Sequence, residues 1–401
     1  MAKAERAEVL VVGGGIGGLT TALALACDGR AVRVLERAQE FGEIGAGIQL
    51  APNATRVLGA LGVMEHIREV AVLPRRLVLG DALSGDELSA LDLTDFPQRY
   101  GAVYVVLHRG DLLHILLEAC QRHGVALESD TFVVRVENLG RGARAVSDDG
   151  RVFEGALLVG ADGLHSGIRP LCSDDEPICS GYVAYRGAVP LEQAPRRADL
   201  GDVIAWIGPG LHFVQYPLRS GRLYNQVAVF RSDRYQRGEP DWGGPEELDE
   251  RFSATCQHIQ EALPALGREQ RWPMYDRLPI DTFVKGRVPL LGDAAHPMLQ
   301  YLAQGACQAI EDAATLAASL RRHTPGPLMD DDAGIDAALR TYQEVRVPRT
   351  TQVQRTARLW GDIWHTDGLA KLLRDELLLR RHPNDHTYIE WLYGWQAPEG
   401  S

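Results

Sequence analysis

The hydrophobic positions of the chain follow two different periods. Residues 8–12 (EVLVV) and 31–35 (AVRVL) are short apolar runs, and the alanine- and leucine-rich stretch 19–26 lies between them. Such runs are typical of buried parallel strands joined by a helix, so the N-terminal part predicts a β-α-β unit. From residue 179 to about residue 272 the apolar positions alternate instead, which predicts an antiparallel sheet. Its strands are expected at residues 182–189, 203–207, 211–217 and 224–230.

A glycine-rich turn joins the first predicted strand to its helix. Gly13, Gly15 and Gly18 complete the spacing G-x-G-x-x-G, and Glu36 follows the second strand. In a dinucleotide site the first glycine makes the tight turn, the second lets the backbone approach the pyrophosphate, and the third lets the helix pack on the strand. The helix N-terminus attracts the phosphates, and an acid about 20 residues on holds the ribose. The alternative is a glycine-rich turn without a ligand.

Two further segments with glycine and aspartate follow predicted strands. Residues 160–169 (GADGLHSGIR) contain Asp162, and residues 292–297 (GDAAHP) contain Asp293. Alone, Asp162 is better explained as a turn residue. Together and in this order, the three segments resemble the signatures of the FAD-dependent aromatic hydroxylases, which are single-component flavoprotein monooxygenases. The resemblance runs over nearly the whole chain.

The resemblance implies an α/β fold with an α+β second domain. A Rossmann-like FAD-binding domain of the p-hydroxybenzoate hydroxylase type is expected from residues 1–72, 101–178 and 279–340. A substrate-binding domain with an antiparallel sheet is expected from residues 73–100 and 179–278. Residues 341–401 are expected to form a C-terminal helical segment. Its aromatic tail is either a packed seam or a contact with a second copy, which would make a homodimer.

The resemblance also implies non-covalently bound FAD. Asp293 is expected to bind the ribityl hydroxyls, and Ser166 and Arg169 to order the second motif. The helix that opens at Gly305 would face the flavin ring, where its N-terminus stabilises a reduced, anionic flavin. The expected FAD contacts are Gly13, Gly15, Gly18, Glu36, Arg37, Gly47, Ile48, Arg109, Asp162, Gly292, Asp293, Gly305 and Ala306.

The predicted strand 211–217 carries the candidate substrate residues. Its period of two places His212, Val214 and Tyr216 on one face, which suits a phenol pocket or, equally, a half-buried strand with satisfied polar groups. Gln300 stands in the run HPMLQY where many salicylate-type hydroxylases have proline. The resemblance is therefore to the branch that hydroxylates 3-hydroxybenzoate. His212, Gln300 and Tyr216 are the expected catalytic residues, and Tyr104 joins them in binding the substrate.

The implied reaction converts 3-hydroxybenzoate to 2,5-dihydroxybenzoate with NADH and dioxygen, through a flavin C4a-hydroperoxide. His212 would accept the phenol proton, because a phenolate is richer in electrons at the carbon para to its oxygen. Two alternatives remain open at this point. One is a salicylate- or hydroxynicotinate-type hydroxylase, and the other is a flavin-binding sensor or interaction protein without turnover.

The composition of the chain limits which kinds of molecule it is expected to bind. A net charge of -12 argues against nucleic acid. The six cysteines are widely spread, and no Cys/His group has zinc spacing, so no metal site is expected. Unpaired cysteines also indicate a reduced, cytoplasmic location. No apolar run approaches the roughly 20 residues that a membrane helix needs. The expected partner is a small aromatic acid.

Overall fold

The computed structural model describes residues 4–42, 46–194 and 199–397. Its first layer is a four-stranded sheet in which every neighbouring pair is parallel. Strands Val9–Val12 and Leu157–Gly160 are buried along their whole length, which explains their uninterrupted apolar runs. In spatial order the strands are Leu157–Gly160, Val9–Val12, Val32–Leu35 and Ala126–Glu128.

Helices cover this parallel sheet. The helix Ile16–Cys27 follows the glycine turn directly and packs against Arg109–Arg122 and Gly305–His323. A small second sheet lies beside the first, and its strand Glu5–Arg6 pairs in parallel with Val152–Gly155. Its other strands are Ala143–Ser147 and Val133–Asn138. Two short antiparallel pairs complete this half, Gly47–Leu50 with Val105–His108 and Val284–Lys285 with Val288–Pro289.

A seven-stranded sheet forms the second half. The sequence predicted an antiparallel sheet, and one pair differs, because Asp202–Gly208 runs parallel to Arg76–Asp81. The strand Arg76–Asp81 comes from a distant, earlier segment, so no tight hairpin turn forces the antiparallel direction on this pair. The strand order is Trp272–Asp276, Ile178–Pro190, Leu223–Arg231, Leu211–Leu218, Asp202–Gly208, Arg76–Asp81 and Glu87–Asp92.

The two faces of this sheet have different roles. On the outer face, Phe213 and Phe230 pack against Leu248 and Phe252 in a hydrophobic cluster. Leu248 and Phe252 belong to the helix Pro245–Phe252, which with Gln257–Ala262 lies in a stretch that the sequence pattern predicted only as strands and turns. The inner face carries the alternate residues, and it turns toward the parallel sheet.

The C-terminal part is helical, as predicted. One helix, Asp332–Trp364, runs for 33 residues and contains Pro348. It is followed by Gly368–Leu379 and by the short Glu390–Tyr393. The other helices are Pro52–Ala60, Met64–Val70, Phe96–Tyr100 and Asp233–Gln236. None of the helices in the described ranges combines the length and the apolar character that crossing a bilayer requires.

Candidate active site

A cavity of about 1140 Å³ lies between the parallel sheet and the inner face of the seven-stranded sheet. Pockets for small ligands usually measure about 300–1,000 Å³, so this one has room for a dinucleotide and a further small molecule. The residues predicted from the sequence line it, with the exception of Gly18: Gly13, Gly15, Glu36, Arg37, Gly47, Ile48, Tyr104, Arg109, Asp162, His212, Tyr216, Gly292, Asp293, Gln300, Gly305 and Ala306.

The glycine turn has the geometry that a phosphate site needs. Gly13 has φ +111°, and a Cβ there would lie 2.2 Å from the carbonyl oxygen of Ala161, so the first motif packs directly on the second. A Cβ on Gly18 would lie 1.9 Å from the Gly13 oxygen, which explains why Gly18 packs the helix rather than lining the cavity. A Cβ on Gly15 would meet no heavy atom within 4 Å. That space is open to a ligand.

The helix N-terminus above this turn is available to an anion. Gly15 is its N-cap and gives no side-chain hydrogen bond, so the first N–H groups point toward the cavity without a protein acceptor from the cap. The Glu36 carboxylate accepts hydrogen bonds from the Gly14 amide at 2.6 Å and the Ala38 amide at 2.9 Å. These bonds fix the carboxylate at the end of its strand, beside the cavity, where a ribose would lie.

The second motif is held together by its own aspartate. Asp162 accepts hydrogen bonds from the Ser166 hydroxyl at 2.6 Å and the Gly167 amide at 2.8 Å. Burial raises the pKa of Asp162, and these bonds oppose that rise. Arg169 donates to the carbonyl oxygens of Ala294 and Ala295 in the third motif. The structure thus shows Asp162 ordering a loop that lines the cavity, and Arg169 joining two motifs.

The third motif presents an unengaged carboxylate. Asp293 faces the cavity and makes no hydrogen bond to a residue that the structure describes. Burial by the surrounding protein raises its pKa, while His296 and Arg109 favour its charged form. Hydroxyl donors from a ligand would satisfy it. The helix beginning at Gly305 has no side-chain cap and no acidic residue in its first turn, so its positive end faces the same space.

A buried ionic cluster behind this helix was not predicted. Asp312 pairs with His296 at 2.6 Å and with Arg346 at 2.6 Å, and all three side chains are fully buried. Burial alone would raise the pKa of Asp312, but His296 and Arg346 hold it at about 2. The carboxylate oxygen that contacts His296 also accepts the Gly292 amide at 2.8 Å. Gly292 has φ +57°, so the cluster fixes the left-handed turn that carries Asp293.

These residues fit an FAD molecule. An open glycine turn, two helix N-termini without side-chain caps and an unengaged aspartate line one elongated cavity. Together they match a pyrophosphate, a ribityl chain and a flat ring that gains negative charge on reduction.

His212 lies in the opposite wall, on the seven-stranded sheet. Its ring is 1% exposed, and its Nδ1 is 2.8 Å from Nε2 of His365. Burial, followed by the neighbouring His365, lowers the pKa of His212 well below the usual value. The ring is therefore neutral at pH 7, and its Nε2 makes no hydrogen bond to another described residue. A neutral imidazole with a free nitrogen toward a cavity can accept a proton.

Two tyrosines share one glutamine beside His212 on the cavity wall. Tyr104 donates to Oε1 of Gln49 at 2.6 Å, and Tyr216 also hydrogen-bonds this side chain. Burial raises the pKa of both phenols above the ordinary value, so they stay protonated. A Cβ on Gly47 would lie 2.4 Å from the Tyr216 ring, so this glycine makes room for the tyrosine. Gln49 thus holds two phenol hydroxyl groups close together in the cavity lining.

Gln300 and Arg186 complete the polar lining. Gln300 begins the turn Gln300–Leu302, after an extended Leu299 (φ -66°, ψ 149°). Arg186 shares the sheet face of Val214 through the register with Val227, and it lies over the Trp272 ring at 5.2 Å. Its Nε is buried without a hydrogen-bond partner in the described chain. Burial lowers the pKa of this guanidinium, so a bound anion would stabilise it.

A sequence profile of the FAD binding domain matches residues 6–357. The chain is 41% identical over 400 residues to 3-hydroxybenzoate 6-hydroxylase 1 of Aquipseudomonas alcaligenes, covering 98% of each chain. It is 39% identical to 3-hydroxybenzoate 6-hydroxylase of Polaromonas naphthalenivorans (strain CJ2), covering 97% of this chain and 96% of that one.

The chain belongs to the FAD-dependent aromatic hydroxylases.

The fold of this hydroxylase also matches that of a solved structure. The chain resembles a single-residue variant of Klebsiella pneumoniae HpxO complexed with FAD, with a TM-score of 0.79 and 28% identity. The alignment covers 94% of this chain and 95% of HpxO. The predictions of an FAD cofactor, of the fold class and of a flavoprotein aromatic monooxygenase are confirmed, which sets aside the sensor alternative.

Sequence reasoning missed several residues that line the cavity of this hydroxylase or support its lining. Gln49 stands in a glycine-rich apolar run without a motif, and only the tertiary contact with Tyr104 shows its role. His365 follows a helix 153 residues after His212. The aromatic tail carried a signal, but it packs within the chain, with Tyr393 6% exposed, 6.1 Å from Tyr104 and in the cavity wall.

Proposed function

We propose that this hydroxylase converts 3-hydroxybenzoate to 2,5-dihydroxybenzoate with NADH and dioxygen. The observation that carries the proposal is the buried, neutral His212, whose Nε2 has no hydrogen-bond partner among the described residues, on the same cavity lining as Gln300, Tyr104 and Tyr216. When bound, FAD would supply the redox chemistry, since it can be reduced by NADH and can then activate dioxygen.

We propose that the cofactor half of the cavity holds FAD through the glycine turn, Glu36, Asp162 as an ordering residue, Asp293 and the helix at Gly305. Residues 1–72, 101–178 and 279–340 would form this domain. Residues 73–100 and 179–278 would form the substrate domain, and the seven-stranded sheet draws its strands from both of these segments.

His212 is the proposed general base. The phenol O–H bond breaks, an Nε2–H bond forms, and the resulting phenolate raises the electron density at the para carbon. A free phenol has a pKa near 10, so a positioned acceptor is needed at neutral pH. Gln300 offers an amide to the same hydroxyl.

The remaining polar groups orient the ring. The Tyr104 and Tyr216 hydroxyls, held by Gln49, contact the ring or its carboxylate. Arg186 supplies a positive charge for the substrate carboxylate. Its Nε is free to donate a hydrogen bond to that carboxylate, because it has no partner among the described residues. Trp360, Trp364 and Tyr393 line the cavity and keep water from the reacting atoms.

The test is a substrate panel. The purified holoenzyme is incubated with NADH and with 2-, 3- and 4-hydroxybenzoate and 6-hydroxynicotinate, and products are identified by mass spectrometry. We expect coupled formation of 2,5-dihydroxybenzoate from the 3-isomer. The contrary result is coupled turnover of 2-hydroxybenzoate (salicylate) or 6-hydroxynicotinate, with only uncoupled NADH oxidation in the presence of the 3-isomer. That result would favour the salicylate- or hydroxynicotinate-type branch, against which Gln300 now weighs.

A further inference from the structure

Two histidine rings are paired beneath the proposed reaction site. Nδ1 of His212 lies 2.8 Å from Nε2 of His365, with ring centroids 5.1 Å apart and planes inclined by 20°. On its other side His365 stacks on Tyr182 at 4.6 Å. The side chain is 8% exposed, and its backbone carbonyl accepts the Gly210 amide at the turn that begins the strand of His212. His365 is therefore fixed in both ring and backbone.

The contact demands that one nitrogen donate and the other accept, because both rings are neutral. Burial, Arg231 and Arg374 lower the pKa of His365 to about 3. If His365 donates its Nε2–H, then His212 carries its own proton on Nε2 and presents a donor to the cavity. If His212 donates its Nδ1–H, its Nε2 presents a lone pair. Only the second arrangement gives a base.

We propose that His365 is the positioning residue of the reaction: it accepts the Nδ1–H of His212 and thereby keeps the Nε2 lone pair directed at the substrate phenol. The proposal rests on the proposed function, because it assigns the residue that sets up the His212 base.

The transferred proton ends on His212. When the phenol proton moves to Nε2, the His212 ring carries the positive charge, and the existing hydrogen bond from its Nδ1–H to His365 becomes charge-assisted. The surrounding charges keep His365 from taking a second proton, so it remains an acceptor. The titratable and charged groups that act on it are Tyr182, Arg231, His212, Tyr301 and Arg374. Asp362 acts on the two neighbouring tyrosines, Tyr182 and Tyr301.

The experiment measures the ionisation of the bound phenol. The ultraviolet difference spectrum of 3-hydroxybenzoate bound to the holoenzyme is recorded across pH, since a phenolate and a phenol absorb differently. H365L removes the acceptor at similar size, and H365Q retains one on its amide oxygen. His323 is a half-buried histidine that contacts Thr341 away from the cavity, so H323L is the matched control.

We expect H365L to lower the phenolate fraction of bound substrate at neutral pH by roughly 10- to 100-fold, the loss typical for one hydrogen bond to a charged group. H365Q should restore it, and H323L should match the parent. H365L adding nothing to H212A would show that both act through one pair. A parental titration in H365L that retains FAD would overturn the proposal.

Two results separate this inference from the proposed function. If H212A leaves the titration unchanged, the proposed base itself is wrong. If H212A shifts it and H365L does not, only the role of His365 is wrong. Nitrogen-15 NMR of histidine-labelled parent protein, assigned with H212A, needs no change at His365. It should show His212 protonated on Nδ1, and protonation on Nε2 would refute the proposal.

Discussion

Replacing His212 with alanine tests the proposed base directly. General-base catalysis contributes about 10²–10⁴-fold, which corresponds to roughly 3–5 kcal/mol of barrier. The ring lies 5.5 Å from Tyr301 and 5.3 Å from Trp364, so its loss also removes aromatic contacts. The loss of those contacts affects the stability of the fold, whereas the loss of Nε2 affects the rate of oxygen transfer. The rate of hydroxylation should therefore fall by the factor given for general-base catalysis, while the FAD content stays close to that of the parent.

The assay measures the fate of each NADH oxidised. Product is measured by chromatography and hydrogen peroxide by a peroxidase-coupled reaction, while stopped-flow absorbance follows flavin reduction. We expect flavin reduction to be largely intact and the ratio of peroxide to product to rise. Raising the pH toward the phenol pKa near 10 should partly restore hydroxylation, because the substrate then ionises without help. H323L serves as the control.

One outcome would refute this reasoning. If H212A couples NADH oxidation to hydroxylation as well as the parent does at neutral pH, then His212 is a packed strand residue. Its contact with His365 would in that case be structural. The alternative explanation of this strand face, satisfied polar groups on a half-buried strand, would be correct.

Four further predictions concern the cofactor, substrate choice, pH and assembly. D293A should weaken FAD binding by roughly 10- to 100-fold through the loss of a charged acceptor, and a fluorescence titration with exposed D86A as control checks it; unchanged affinity would make Asp293 a turn residue only. Q300P should fold and keep FAD, since an extended residue precedes the first position of a turn, yet it should produce more peroxide per NADH; parental coupling would remove the main support for the 3-hydroxybenzoate branch. His365 has a folded pKa of about 3, below the unfolded value near 6.5, so its contribution to the free energy of unfolding is full above pH 6.5 and falls as the pH drops, by about 2 kcal/mol at pH 5. Urea unfolding of H365L should therefore show a smaller loss of stability between pH 7 and pH 5 than the parent shows, and an equal loss would contradict the assignment. The homodimer stays a prediction, with Leu372 (66% exposed) and Leu377 (72% exposed) as its surface; the double change to lysine should give a monomer by light scattering, and a parent that is already monomeric would exclude the dimer.

Local chemistry explains which parts of this molecule could be predicted. Gly13, Gly15 and Asp293 were recognisable because each acts through its own backbone turn or the strand it follows. The strand of His212 and Tyr216 was recognisable because a period of two needs no knowledge of the partner strand. Fold class and cofactor followed from these segments and are confirmed.

The missed features depend on contacts between distant segments. Gln49 is defined by its bonds to two tyrosines, and His365 by a partner 153 residues earlier in the chain. The parallel pairing of Arg76–Asp81 depends on where a distant chain segment enters the sheet, which a hydrophobic pattern does not encode. The helix Pro245–Phe252 has only eight residues and buries the apolar side chains Leu248 and Phe252, too few positions to stand out among the neighbouring strands.

The 33-residue helix Asp332–Trp364 connects the turn that carries Asp293 with the strand that carries His212. Arg346 pairs with Asp312, which accepts the Gly292 amide beside Asp293, and His365, the residue after the helix, contacts His212. Deleting one residue between these points would shift His365 by about 1.5 Å and rotate it by roughly 100° about the axis. The helical spacing from Arg346 to His365 thus couples the Asp293 turn to the His212 strand on opposite walls of the cavity, and a change in that spacing would disturb both contacts together.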